Sequence, residues 1–146
     1  MKTILSNKYL LLIARFLIAF IFIYAGAEKI SDPDTFAISI SNYRLMPVWT
    51  LNIFAITLPW IEVISGVLLL FGIAVKENSS IIFSLLLVFT IAIVISLLRG
   101  LSIDCGCFGK GSMIGLTKLA ENLLMLIGAL LLIAFDSKFL SLESKN

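Results

Sequence analysis

Long apolar runs at about residues 9–27, 49–75, 80–98 and 116–135 alternate with short polar segments along the chain. A helix rises about 1.5 Å per residue, so each run reaches across the roughly 30 Å hydrocarbon core of a bilayer. Lipid offers the backbone no hydrogen-bond partners, and four spanning helices satisfy every peptide group internally. The pattern therefore predicts an all-α, polytopic membrane protein: a four-transmembrane-helix bundle formed by one domain, residues 1–146.

The segments between the runs carry their own signals. After the first run, Asp32 is placed to cap a new helix and Pro33 to occupy its first position. Phe36, Ile40 and Tyr43 then recur at helical spacing, with Ser39, Asn42 and Arg44 among them, which predicts a short interfacial helix ending before Met46-Pro47. Residues 72–80 read as a tight turn. Arg99-Gly100 reads as the stop of the third span, and Ser112 as the cap of the fourth.

Composition agrees with the pattern. Hydrophobic residues make up 60% of the chain and charged residues 14%, which excludes a soluble domain. The first run, preceded by Lys2 and Lys8 and ending in Ala25-Gly26-Ala27, has some features of a signal peptide. Its length, and Arg15 within it, favour a retained span. The loop cations divide evenly: Lys2, Lys8, Lys76, Lys138 and Lys145 fall on the side of the termini, and Lys29, Arg44, Arg99, Lys110 and Lys118 on the other. The positive-inside rule is thus balanced. Orientation rests on the cysteines described next, which belong in an oxidising compartment if they cycle. That places the termini inside and the cysteine loop outside, in a bacterial inner membrane.

The chain's two cysteines, Cys105 and Cys107, flank Gly106 in the polar gap before the last span. A ring closed between thiols one residue apart needs a sharp backbone bend, which Gly106 tolerates. Such a disulfide is strained and readily exchanged. Lys110 and the N-terminus of the fourth helix favour a thiolate, while Asp104 opposes it. Asp104 and Glu121, the latter beneath the loop with Asn122, are the candidate proton-handling groups beside the thiols. Redox exchange is the leading reading. A static loop clamp in a membrane scaffold or assembly subunit, and a two-thiolate copper(I) carrier, remain open alternatives. With no histidine and no third cysteine, a structural zinc site and a bis-histidine haem are excluded.

Ionisable residues inside spans are costly unless paired or facing a cavity. Arg15 and Glu62 fall about 10 Å apart in depth by antiparallel counting. Either they form a salt bridge or Arg15 snorkels on its own. Pro59 removes a hydrogen bond from the second span and predicts a kink beside Trp60. A disulfide generator in a membrane needs a lipid-soluble sink for two electrons. Pro59, Trp60, Glu62 and Phe108 are the candidate lining of a quinone pocket.

Arg15, Ala25-Gly26, Lys29, Pro33, Phe36, Tyr43-Arg44-Leu45, Pro47, Leu58-Pro59-Trp60-Ile61-Glu62, Gly66, Gly72, Arg99-Gly100 and Ile103-Asp104-Cys105-Gly106-Cys107-Phe108-Gly109 occur in an order that resembles the MauE branch of the DoxX-like membrane proteins. The likeness covers nearly the whole chain. It implies four transmembrane helices and a role in disulfide formation or redox maturation of exported proteins, alongside a membrane-tethered thioredoxin-like partner. The family's cysteine pair maps onto Cys105 and Cys107, and its helix-two carboxylate onto Glu62. The likeness departs at Glu121, where a basic residue is expected.

Overall fold

A computed structural model describes residues 7–100 and 115–135. Cys105, Cys107, Asp104, Phe108, Lys110 and the expected cap Ser112 lie outside the described residues. The described chain forms five helices: α1 (Lys8–Ser31), α2 (Pro33–Asn42), α3 (Val48–Phe71), α4 (Val75–Leu98) and α5 (Leu116–Phe135). Four of them, α1, α3, α4 and α5, are long and apolar enough to cross a membrane, as the four runs predicted. The short α2 lies between the first two spans.

The local signals act as expected at α2. Asp32 Oδ1 accepts from the Thr35 backbone N–H at 3.2 Å, and Pro33 opens the helix. Phe36, Ile40 and Tyr43 are all buried. This face packs with Leu51 and Ala55 of α3, fixing α2 across the end of the bundle from which α1 emerges.

The α3–α4 connection is shorter than the sequence suggested. Gly72 adopts φ +70°, and the N–H groups of Gly72 and Ile73 return to the carbonyls of Leu69 and Leu68, a Schellman-type stop. α4 then begins at Val75 rather than near Ser80. The five additional residues are polar enough to read as loop. However, Asn78 Nδ2 donates to the carbonyls of Ile73 and Ala74, and Val75 and Ser79 are buried. At the far end, Gly100 at φ +68° terminates the helix after Arg99.

The spans form a square in which α1 packs mainly on α3 and α4 on α5, with α1–α5 and α3–α4 contacts closing the ring. Small residues allow the closest approach. A Cβ on Gly26 would stand 2.6 Å from Val63 Cγ2 and 2.8 Å from the Pro59 carbonyl oxygen. One on Gly66 would stand 2.8 Å from Ile23 Cγ1 and 3.0 Å from the Ala19 oxygen. These contacts fix the α1–α3 register and bring the backbones together as small residues do in membrane bundles. Leu11, Ile18, Phe22, Leu69, Ile82 and Leu132 fill the core toward the α3–α4 turn.

Candidate functional site

The α1–α3 register sets Glu62 level with residues 26–27 of α1. Lys29 stands just above it. Helical Cα–Cβ bonds tilt toward the N-terminus, so in this antiparallel pair the Lys29 stem leans down into the bundle while the Glu62 stem leans up. The ammonium and carboxylate meet: Lys29 Nζ is 2.8 Å from Glu62 Oε1 and 2.9 Å from Oε2. Both residues are buried, at 7% and 3% exposure. Lys29 Nζ also lies 5.0 Å from the Phe36 ring centroid and 5.2 Å from that of Phe89, within cation–π range.

The expected Arg15–Glu62 bridge is therefore replaced by Lys29–Glu62. α1 continues four residues past its apolar run, to Ser31, which carries Lys29 into the membrane-spanning helix. Arg15 falls about eleven residues below the Glu62 level, or about 17 Å at the helical rise. It does not snorkel outward either: it is fully buried, with its guanidinium 5.4 Å from the Phe16 ring centroid.

The other expected site residues divide between the inside and outside of the bundle. Pro59 and Glu62, three apart on α3, share the buried face, while Trp60 is 53% exposed on the lipid side. Glu121 is exposed and bonds Lys118 Nζ at 2.9 Å, one turn away on α5. Its neighbour Asn122 faces inward at 1% exposure. The buried Asn122 Nδ2 and Ser96 Oγ make no hydrogen bond within the described residues. Both belong to the parts of α5 and α4 nearest the cysteine segment in sequence.

A cavity of about 370 Å³ opens beside the ion pair, between the end of α2, the first half of α3 and the second half of α4. Ile40, Tyr43, Phe54, Leu58, Phe89 and Ala92 are among its walls. No pattern along the chain points to it directly, because its walls come from three helices whose apolar residues read as ordinary span or interface. The one usable clue was Tyr43, which continues the buried Phe36 and Ile40 face just past the end of α2.

The sequence model described as "Methylamine utilisation protein MauE" matches residues 7–135. The chain belongs to the MauE family. The chain is similar to the methylamine utilization protein MauE of Methylorubrum extorquens, 36% identical over 88 residues that cover 60% of this chain and 47% of the relative. The Paracoccus denitrificans MauE is 31% identical over 112 residues, covering 76% and 60%. The Methylophilus methylotrophus MauE is 28% identical over 108 residues, covering 73% and 57%. This MauE-family chain thus spans about half to three-fifths of the length of these curated relatives. No solved structure matches it. Family and helices together describe a multi-pass inner-membrane protein.

Proposed function

We propose that this MauE-family protein is a membrane thiol–disulfide redox protein whose Cys105/Cys107 pair exchanges electrons with an exported thioredoxin-like partner and passes them to a quinone. The observation that carries the reading is the Cys105-Gly106-Cys107 segment itself, joined five residues after the glycine stop of α4 in a chain that is otherwise nearly all spanning helix. Two thiols separated by a glycine form a small, strained ring that exchanges readily. A single pair is too few for separate partner-facing and quinone-facing disulfides, so either the same two sulfurs serve both steps in turn or a partner lends a second pair.

Cys105, Cys107 and the neighbouring Asp104 and Glu121 are the groups assigned to the exchange, with the cysteine loop on the periplasmic side. In the oxidative half, two S–H bonds break and one S–S bond forms; the two electrons and two protons convert the quinone to its quinol. In the other half, the partner's dithiol reduces the Cys105–Cys107 disulfide and becomes oxidised. Exchange proceeds through a mixed disulfide, which accumulates when the resolving thiol is removed. Cys105→Ser and Cys107→Ser should therefore be expressed separately and run on non-reducing gels beside the wild type. One of the two is expected to trap a partner adduct that dissolves on reduction. No adduct from either variant would instead support a static loop clamp in a non-catalytic assembly subunit.

A further inference from the structure

We propose that the cavity between α2, α3 and α4 receives the ring of the membrane quinone that the proposed redox reading requires. This extends that reading by giving the acceptor a place in the fold. The cavity's volume of about 370 Å³ lies at the lower end of the roughly 300–1,000 Å³ typical of small-molecule sites. Its rim is the exposed, lipid-facing part of α3 and α4: Val88 is 61% exposed and Ile91 51% on α4, and Phe54 38% on α3. Its deeper wall is buried, with Tyr43 at 5% and Ala92 at 8%. A ligand thus enters from hydrocarbon, which selects a membrane-dissolved molecule.

Three features favour a planar, reducible ring over a saturated acyl chain. Tyr43, Phe54 and Phe89 give the cavity aromatic walls, on which a flat ring stacks and a methylene chain gains little specificity. Phe89 is also 5.2 Å from Lys29 Nζ, so the cationic end of the Lys29–Glu62 pair stands at this wall. With Glu62 balancing it, the pair is a dipole whose positive end faces Phe89, and that end favours the negative charge that builds on a quinone as it takes electrons. Position is the third feature. Ala92 lies eight residues before Gly100, about 12 Å along α4, and Cys105 follows five residues later in sequence. The cavity is therefore at the thiol-bearing end of α4. It also adjoins Leu58, next to Pro59, so it lies one helix face away from the pocket expected around Pro59, Trp60 and Glu62.

The test is photolabelling of the full chain, carrying Cys105→Ser and Cys107→Ser, in quinone-free nanodiscs with an azido-benzoquinone. Without the thiols, the probe reports occupancy alone. The expected result is saturable labelling of α2, α3 and α4 peptides around Tyr43, Phe54 and Phe89. Decyl-benzoquinone should compete for it, and a saturated ten-carbon chain should not. Ala92→Phe, which fills the cavity, should weaken labelling at least about tenfold, equivalent to about 1.4 kcal/mol. Non-saturable labelling spread over lipid-facing positions such as Ile64 and Leu124 would overturn the assignment, as would equal competition by the saturated chain. The labelling map of the chain with Ala92 intact decides the matter if Ala92→Phe fails to fold. Loss of the quinone site with partner adducts intact would remove this inference alone, whereas saturable labelling without any thiol exchange would remove the redox reading and leave the site.

Discussion

Lys29 Nζ bonds both carboxylate oxygens of Glu62, at 2.8 and 2.9 Å, across the α1–α3 pair that Gly26 and Gly66 bring close. The pair brings two charges into a membrane interior, and each is tolerated because the other is present. Removing one partner strands the other. Lys29→Met or Glu62→Leu is expected to lower stability by about 3–5 kcal/mol, while the double variant recovers most of the loss. Denaturant titration of the protein in detergent checks this, with the double-mutant cycle isolating the coupling.

Two glycines at different contacts of α1, Gly26 against α3 and Gly128 of α5, make opposite predictions. A Cβ on Gly26 would collide with the backbone oxygen of Pro59 as well as with Val63, and a backbone cannot step aside cheaply. Gly26→Ala should cost about 1–3 kcal/mol through displaced helices. At Gly128 the nearest atom is Ile18 Cδ1 at 3.1 Å, the flexible end of a side chain. Gly128→Ala should be neutral or stabilising by up to about 1 kcal/mol, since alanine favours the helix. Thermal unfolding of both variants in one detergent compares them directly.

Much of the fold was legible because spanning helices need long apolar runs and their ends use recognisable residues. Asp32-Pro33 and Arg99-Gly100 are local devices, and they act where their sequence indicates. Lys29 was harder to place. It follows the first apolar run and reads as a loop cation, yet α1 continues through it and its stem leans back into the bundle. Glu62 was recognisable as a buried charge, but choosing between Lys29 and Arg15 required the helix register that Gly26 and Gly66 set by contact. The cavity demanded still more, because three helices separated in sequence must be assembled before its walls exist.

The α3–α4 turn offers a reciprocal pair of backbone tests. Gly72 and Ala74 both have positive φ, at +70° and +45°. Glycine adopts this region freely, whereas alanine pays for its Cβ. Gly72→Ala is expected to destabilise by about 1 kcal/mol, and Ala74→Gly to stabilise by up to about 1 kcal/mol. Unfolding midpoints of the two variants should therefore move in opposite directions.

Glu121 and Lys118 meet on an exposed part of α5, at 48% and 22% side-chain exposure. An exposed ion pair contributes about 0–1 kcal/mol. Glu121→Gln should consequently leave the unfolding midpoint almost unchanged. If Glu121 handles protons beside the thiols, the variant slows thiol exchange despite that intact stability. Stopped-flow exchange with a reduced dithiol substrate separates this role from a merely structural one.

Cys105 and Cys107 are assigned a reversible dithiol–disulfide cycle, and alkylation trapping in native membranes reads their redox state. Membranes held under oxidising or reducing conditions are quenched with acid, labelled with a mass-shifting maleimide and resolved by gel. No added label is expected after oxidation and two labels after reduction, with the change reversed when the conditions are exchanged. A pair that stays in one state under both conditions would contradict the cycle.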